Sequence, residues 1–308
     1  MSQMAAASTP VQPSVRVLLR GIVDYAGLFP PAGLGMAAAV GEYAEHRNSA
    51  QAWVLGRFVL PAARLEEFSD AAAPIVPREG AKSWALSALL ASDLEEDIAR
   101  IERFNENHRD ARAGAVQVDT VELKAHSSRD VAHASELLDR RFDTYMEIPV
   151  VGDPAELLEA ISHTTAKAKI RMGGVTPDAF PTSAQVVRFA MRCIGHNVAF
   201  KATAGLHHPW RGEYKLSYAT DAPCGAMFGF LNLVLAVAAL HAKASEAQAI
   251  ALLEERDTHA VRFDADAIRW REHVMPISVL ERARESMVAL GSCSFREPVS
   301  DLRALSLL

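Results

Sequence analysis

The feature that most constrains this chain is a repeated alternation: a short β-prone run, polar or glycine punctuation, then a stretch with helical spacing. Seven such runs are legible: Gly21–Phe29, Trp53–Pro61, Trp84–Ala91, Ala115–Ala125, Phe142–Val150, Ala168–Gly174 and Val198–Gly205. Helix signals fill the gaps. Asp93 caps an acidic first turn in DLEEDIARIERFNENH. Asp153 and Pro154 open DPAELLEAISH. Thr182 or Ser183 begins TSAQVVRFAMRCIGHN, and Gly195 stops it. Strands alternating with helices predict a parallel sheet with helical crossovers.

The eighth unit is less direct. HAVRFDADAIRWRE alternates like a two-stranded hairpin about Asp264–Ala267 and would bring Arg262, Arg269 and Arg271 into a barrel core. Val288–Ser294 is the better strand, with ISVLERARESM as a helix before it and a closing helix near Pro298 after it. Eight units predict an α/β (β/α)₈ barrel over residues 15–308, a single domain. Its seventh crossover carries an insertion at about 206–275: the long loop Pro209–Cys224, a helix within Ala226–Ala242, and the hairpin. An open doubly wound sheet would want a G-x-G-x-x-G turn after the first strand, and AGLFPPAGLG is not one. Residues 1–14 read as a disordered leader, without the charged start and apolar core of a signal peptide. Ala71–Lys82, the nearest approach to a linker, is too short to divide the chain.

A formal charge of −6 argues against nucleic acid or an anionic membrane as partner. The apolar run Ala226–Ala242 is short for a membrane span and contains Asn232 and a histidine, so it reads as a buried helix. Cys193, Cys224 and Cys293 are too few and scattered for a disulfide framework or zinc site, which fits a reducing cytoplasm. A small molecule is the expected partner. A homo-oligomer is admitted but not required.

In a barrel the reacting groups lie at the C-terminal strand ends. Residues two apart on a strand share a face, so Glu122 pairs with Lys124, Lys169 with Arg171, and Lys201 with Thr203. With Asp24, Arg57 and Glu147 they predict one polar cluster at the barrel mouth. A structural ion-pair network is the plain alternative. Two lysines on neighbouring strands have a specific chemical use. A nearby cation and a dry wall lower an amine's proton affinity, and the neutral amine condenses with a carbonyl to an iminium, an electron sink for breaking a carbon–carbon bond. Lys169 would be the nucleophile and Lys201 the cation that lowers its pKa. Asp24, with Glu122 or Asp119, would move protons, and Glu147 is a further carboxylate. The substrate's anionic end, phosphate or carboxylate, would be held by Arg171, Arg57, His207 and the strand-end groups Gly173, Gly174, Gly205, Ser292 and Ser294. This chemistry needs no cofactor. A metal-assisted isomerase or lyase would instead use a divalent ion on Glu122, Glu147 and His207. A third reading is a non-catalytic protein that binds an anionic metabolite. Cys293 reads as a small buried strand residue.

The order of these pieces resembles the deoxyribose-phosphate aldolase group of class I aldolases. Asp24 in IVDYAGL is similar to that family's first-strand aspartate, and Asp119 in QVDTV to its fourth-strand acid. Lys169 in KIRMG resembles its Schiff-base lysine, Lys201 in KATAG its second lysine, and GSCS at Gly291–Ser294 its last strand end. The resemblance implies a barrel lyase with these residues at its centre. Arg171 replaces a small hydroxyl residue of the family pattern, which implies a more cationic, smaller pocket. The seventh crossover is enlarged, and the tail ends in Leu307-Leu308 instead of the family's tyrosine tail. Strand alternation puts Asp119 and Glu122 on opposite faces unless a bulge intervenes. Position near the strand end favours Glu122, and the resemblance favours Asp119.

Overall fold

A computed structural model describes residues 10–76, 83–109 and 115–308. In chain order the elements are α1 (Pro13–Leu19), β1 (Val23–Tyr25), α2 (Met36–Arg47), β2 (Leu55–Pro61), α3 (Leu65–Ala72), β3 (Trp84–Leu89), α4 (Leu94–Asn107), β4 (Val116–Lys124), α5 (Ser128–Leu138), β5 (Asp143–Glu147), α6 (Ala155–Ser162), β6 (Lys167–Arg171), α7 (Ser183–Gly195) and β7 (Phe200–Thr203). There follow β8 (Gly212–Lys215), β9 (Cys224–Met227), α8 (Phe230–His241), α9 (Glu246–Leu253), β10 (Val261–Phe263), β11 (Ala267–Trp270), β12 (His273–Pro276), α10 (Ile277–Ser286), β13 (Met287–Ser292) and α11 (Arg296–Ala304). Strands β1 to β7 and β13 close a parallel barrel, with β13 between β7 and β1. This is the (β/α)₈ fold.

All eight β-rich runs form barrel strands. Outside the barrel wall, helix side chains pack on the outward strand residues. Tyr43 of α2 meets Phe58 of β2 and Trp84 of β3 at centroid distances of 5.4 and 5.1 Å. Helix α4 starts where Asp93 accepts from the Glu96 N–H, and α7 starts in a capping box between Thr182 and Gln185. The chain already turns helical at Pro13, inside the segment read as a leader, and buries Val15, Leu18 and Leu19. Residues 1–9, and the later part of the Ala71–Lys82 segment, lie outside the described residues.

The seventh crossover differs in detail from the expectation. The presumed long loop Pro209–Cys224 contains β8, which pairs with β9 as an antiparallel hairpin. The presumed two-stranded hairpin is a three-stranded sheet, because His273–Pro276 adds β12 to the edge of β11. Helix α8 is apolar almost all round and buried. Its Asn232 is satisfied: the side-chain N–H groups donate to the Leu252 and Glu255 carbonyls at 3.0 and 2.9 Å, and Oδ1 accepts from the Arg211 N–H at 2.8 Å. No helix among the described residues is long and apolar enough to cross a membrane.

One irregularity positions the site. Between β3 and β4 the register steps from Leu86↔Val118 to Ser87↔Thr120, so Asp119 is an extra residue on β4. This is a β-bulge. It lets Asp119 and Glu122 both turn inward, at different depths.

Candidate active site

Strands β5, β6 and β7 place Glu147, Lys169 and Lys201 in one register layer. The fully buried Lys201 Nζ lies 2.5 Å from Asp24 Oδ2 and 2.6 Å from Glu122 Oε1. Lys169 Nζ lies 2.9 Å from Glu122 Oε2 and 3.0 Å from Glu147 Oε2. Glu122 therefore holds one ammonium on each oxygen, and the Ser87 hydroxyl donates to Oε1 at 2.7 Å. Asp24 is fixed from the other side, where its Oδ1 accepts from the Arg57 N–H at 2.7 Å. Only glycine fits at position 56, since a Cβ there would stand 2.2 Å from Asp24 Oδ1. Neither Ser87 nor Gly56 was singled out from the sequence. A lone hydroxyl within WALSALLA was the available signal for the first.

Three carboxylates face two ammoniums, and this sets the protonation. Burial would depress Lys169, but the charges of Glu122 and Glu147 and the hydrogen bonds to them outweigh it and hold its pKa above the usual lysine value. Burial would depress Lys201 as well, and Asp24 and Glu122 raise it in the same way. Burial would raise Glu122, but the two lysines pull its carboxyl far below the ordinary range. The expectation that Lys201 lowers the pKa of Lys169 is thus corrected, because a shared carboxylate separates the two cations.

Above this layer the barrel opens into a cavity of about 820 Å³. Lys169, Lys201, Glu122, Glu147, Arg171, Gly174, Gly205 and His207 line it, as expected. Other expected residues do not. Asp119 accepts two hydrogen bonds from the Arg57 guanidinium, at 2.7 and 3.1 Å, in a part-exposed pair away from the cavity lining. Between the two fourth-strand acids, it is Glu122 that reaches the lysines. Gly173 is covered by the Phe180 ring, which a Cβ there would meet at 2.4 Å. Ser292 and Ser294 bond locally: Ser292 Oγ accepts from the Ser294 N–H at 3.4 Å, and Ser294 Oγ accepts from the Glu297 N–H at 3.2 Å, near the start of α11. Gly291 and Cys293 line the cavity instead, the opposite parity of the same strand end.

Cys293 belongs to a second cluster. Its Sγ lies 3.7 Å from His207 Nδ1 and 3.8 Å from the Tyr218 hydroxyl, and Tyr218 donates to Glu297 at 2.8 Å. Burial would lower His207, but the hydrogen bonds to Cys293 and Glu297 lift it to about 9. His207 is thus an imidazolium at neutral pH, committed to Glu297 at 3.3 Å. The metal set Glu122, Glu147 and His207 is not assembled, and no group of three or more His, Cys, Asp or Glu among the described residues is arranged to hold a metal ion.

Fold and site together define a (β/α)₈ barrel with a lysine–carboxylate cluster at the C-terminal ends of its strands. Compared with known proteins, the chain matches no family model, no curated protein and no solved structure.

Proposed function

We propose that this barrel is a lyase of the Schiff-base aldolase type acting on a small anionic carbonyl compound, with Lys169 as the amine. The observation that carries this reading is the position of Lys169: clasped by two carboxylates, yet lining the cavity beside the fully buried Lys201. Lys201 is enclosed by Asp24 and Glu122 and serves to position Glu122.

The resting ammonium of Lys169 has to lose a proton before it attacks. Glu147, at 3.0 Å and partly exposed, is the acceptor next to the cavity. The neutral amine adds to the carbonyl carbon, and the carbinolamine loses water to give an iminium. That cation sits where the ammonium sat. The carboxylates that hold Lys169 protonated therefore also stabilise the iminium, a preorganised charge match that opposes formation of the free amine but favours the intermediate. Glu147 or Glu122 then takes or returns the proton as the adjacent carbon–carbon bond breaks or forms.

Borohydride reduction in the presence of carbonyl compounds, followed by peptide mass mapping, tests the proposal. The expected result is a reduced adduct on Lys169, absent from Lys169→Met. If anionic carbonyl compounds bind but leave no adduct and undergo no turnover, the cavity is instead a non-catalytic metabolite site.

A further inference from the structure

We infer that the cavity accepts a 2-oxo acid with an alkyl tail of several carbons in preference to a phosphorylated aldehyde. The inference rests on Lys169 being the amine.

The first observation concerns the place where a phosphate was expected. The Phe180 ring packs against its glycines: a Cβ at Gly173 or Gly205 would stand 2.4 or 2.9 Å from it. Those glycines are accounted for by the room the aromatic ring needs, so their presence is not itself the mark of a phosphate cradle. Neither Ser292 nor Ser294 lines the cavity, and their oxygens accept from backbone N–H groups of their own segment. The two serine hydroxyls expected to hold a phosphate at the last strand are therefore not presented to the cavity.

The second observation is where unpaired positive charge remains. Lys169 and Lys201 are bound to carboxylates, whereas Arg171 and Lys124, also on the cavity lining, make no ion pair among the described residues. Arg171 lies two residues beyond Lys169 on the same face of β6, about 7 Å nearer the mouth. A carboxylate attached directly to the reacting carbonyl carbon would point from Lys169 towards that guanidinium, whose planar fork matches a carboxylate.

The third is the opposite wall. Around the ring of eight strands, β2 is four places from β6. The lining on that side is mainly Phe29, Pro30, Val59, Leu89, Leu90 and Leu94, with Ser92 in the same loop. Sugar hydroxyls would lose water against this wall and find few partners on it, whereas methylenes gain by leaving water.

The test uses the full chain with pyruvate, 2-oxobutanoate, 2-oxohexanoate and 2-oxooctanoate, against glycolaldehyde phosphate and hexanal, and reads borohydride-trapped adduct by mass. The concentration needed for half-maximal trapping should fall by about fourfold per added methylene until the cavity is filled. Arg171→Gln should raise it at least about tenfold for 2-oxohexanoate and reduce the preference for that acid over hexanal. Flat chain-length dependence, or tighter trapping of glycolaldehyde phosphate, overturns the inference and leaves the Lys169 chemistry standing. If no probe gives an adduct, the Schiff-base reading fails, and calorimetry of Lys169→Met with octanoate and with inorganic phosphate decides the rest. Octanoate binding that Arg171→Gln weakens upholds the ligand class, and phosphate binding alone or no binding overturns it.

Discussion

Two sets of opposite charges lie inside this barrel, and they differ in completeness. In the Arg57–Asp119 pair, one guanidinium meets one carboxylate in a two-pronged contact, with side chains 29% and 38% exposed. In the other, Asp24, Glu122 and Glu147 share Lys169 and Lys201, with every side chain but Glu147 almost dry, and one edge opens on the cavity. A balanced pair has nothing left to offer a ligand. An unbalanced, desolvated group with an open edge binds or reacts, because a proton or a substrate can still change its charge state.

Lys169→Met gives the largest expected effect and the sharpest way to break this contrast. Borohydride-dependent adduct should fall at least about 100-fold, with unchanged circular dichroism, as follows from deleting a nucleophile. An equal loss in Arg57→Gln would erase the distinction between the two sets. Next comes Glu122→Gln, which leaves two buried ammoniums without their shared counter-charge. It should cost about 3 kcal/mol or more in chemical denaturation at pH 7. A cost near zero would mean that Asp24 and Glu147 suffice alone.

His207 extends the comparison to the cavity rim with an effect of up to about 3 kcal/mol. Its folded pKa is raised to about 9 from 6.5. Its contribution is therefore fully present below pH 6.5 and is lost as pH rises through 9. Denaturation midpoints at pH 6 and pH 9.5 should differ more in the wild type than in His207→Asn, and equal differences would contradict the pairing with Cys293 and Glu297. The smallest effect belongs to the balanced pair. Arg57→Gln should cost about 1 kcal/mol or less in denaturant titrations, the usual worth of a part-exposed ion pair.

The barrel was legible because each strand carries its own β-prone run between helix signals, and local patterns need no knowledge of their neighbours. Alternation put Glu122 with Lys124, Lys169 with Arg171, and Lys201 with Thr203 on shared faces; which face turns inward came only with the closed barrel. Depth was not legible either: parity names a face but not a level, so the Arg57 guanidinium was grouped with the lysine cluster although it meets Asp119, and only the Arg57 backbone N–H reaches Asp24. At the last strand the parity itself lacked an anchor. With Gly291 inward, Cys293 follows it and the serines do not. The strands β8 and β12 were missed because GEYK and HVMP carry little β-branched content. The ring of Phe180 over Gly173 comes from a fold-back within the loop between β6 and α7, which no strand periodicity describes.

The extra residue in β4 has a consequence of its own. Side chains along a strand behave like a two-step wave, and Asp119 inserts a half-period into it. The lower and upper halves of that strand are thereby out of phase and answer to different masters: one to the barrel floor, the other to the amines. A deletion that removed Asp119 would close the bulge and leave Thr120–Lys124 in the register they already hold, so Glu122 would still face both lysines and the contact to Arg57 would be lost. One residue added anywhere between Thr120 and Glu122 would do the opposite: it would turn the upper half by one step and take Glu122 away from the amines.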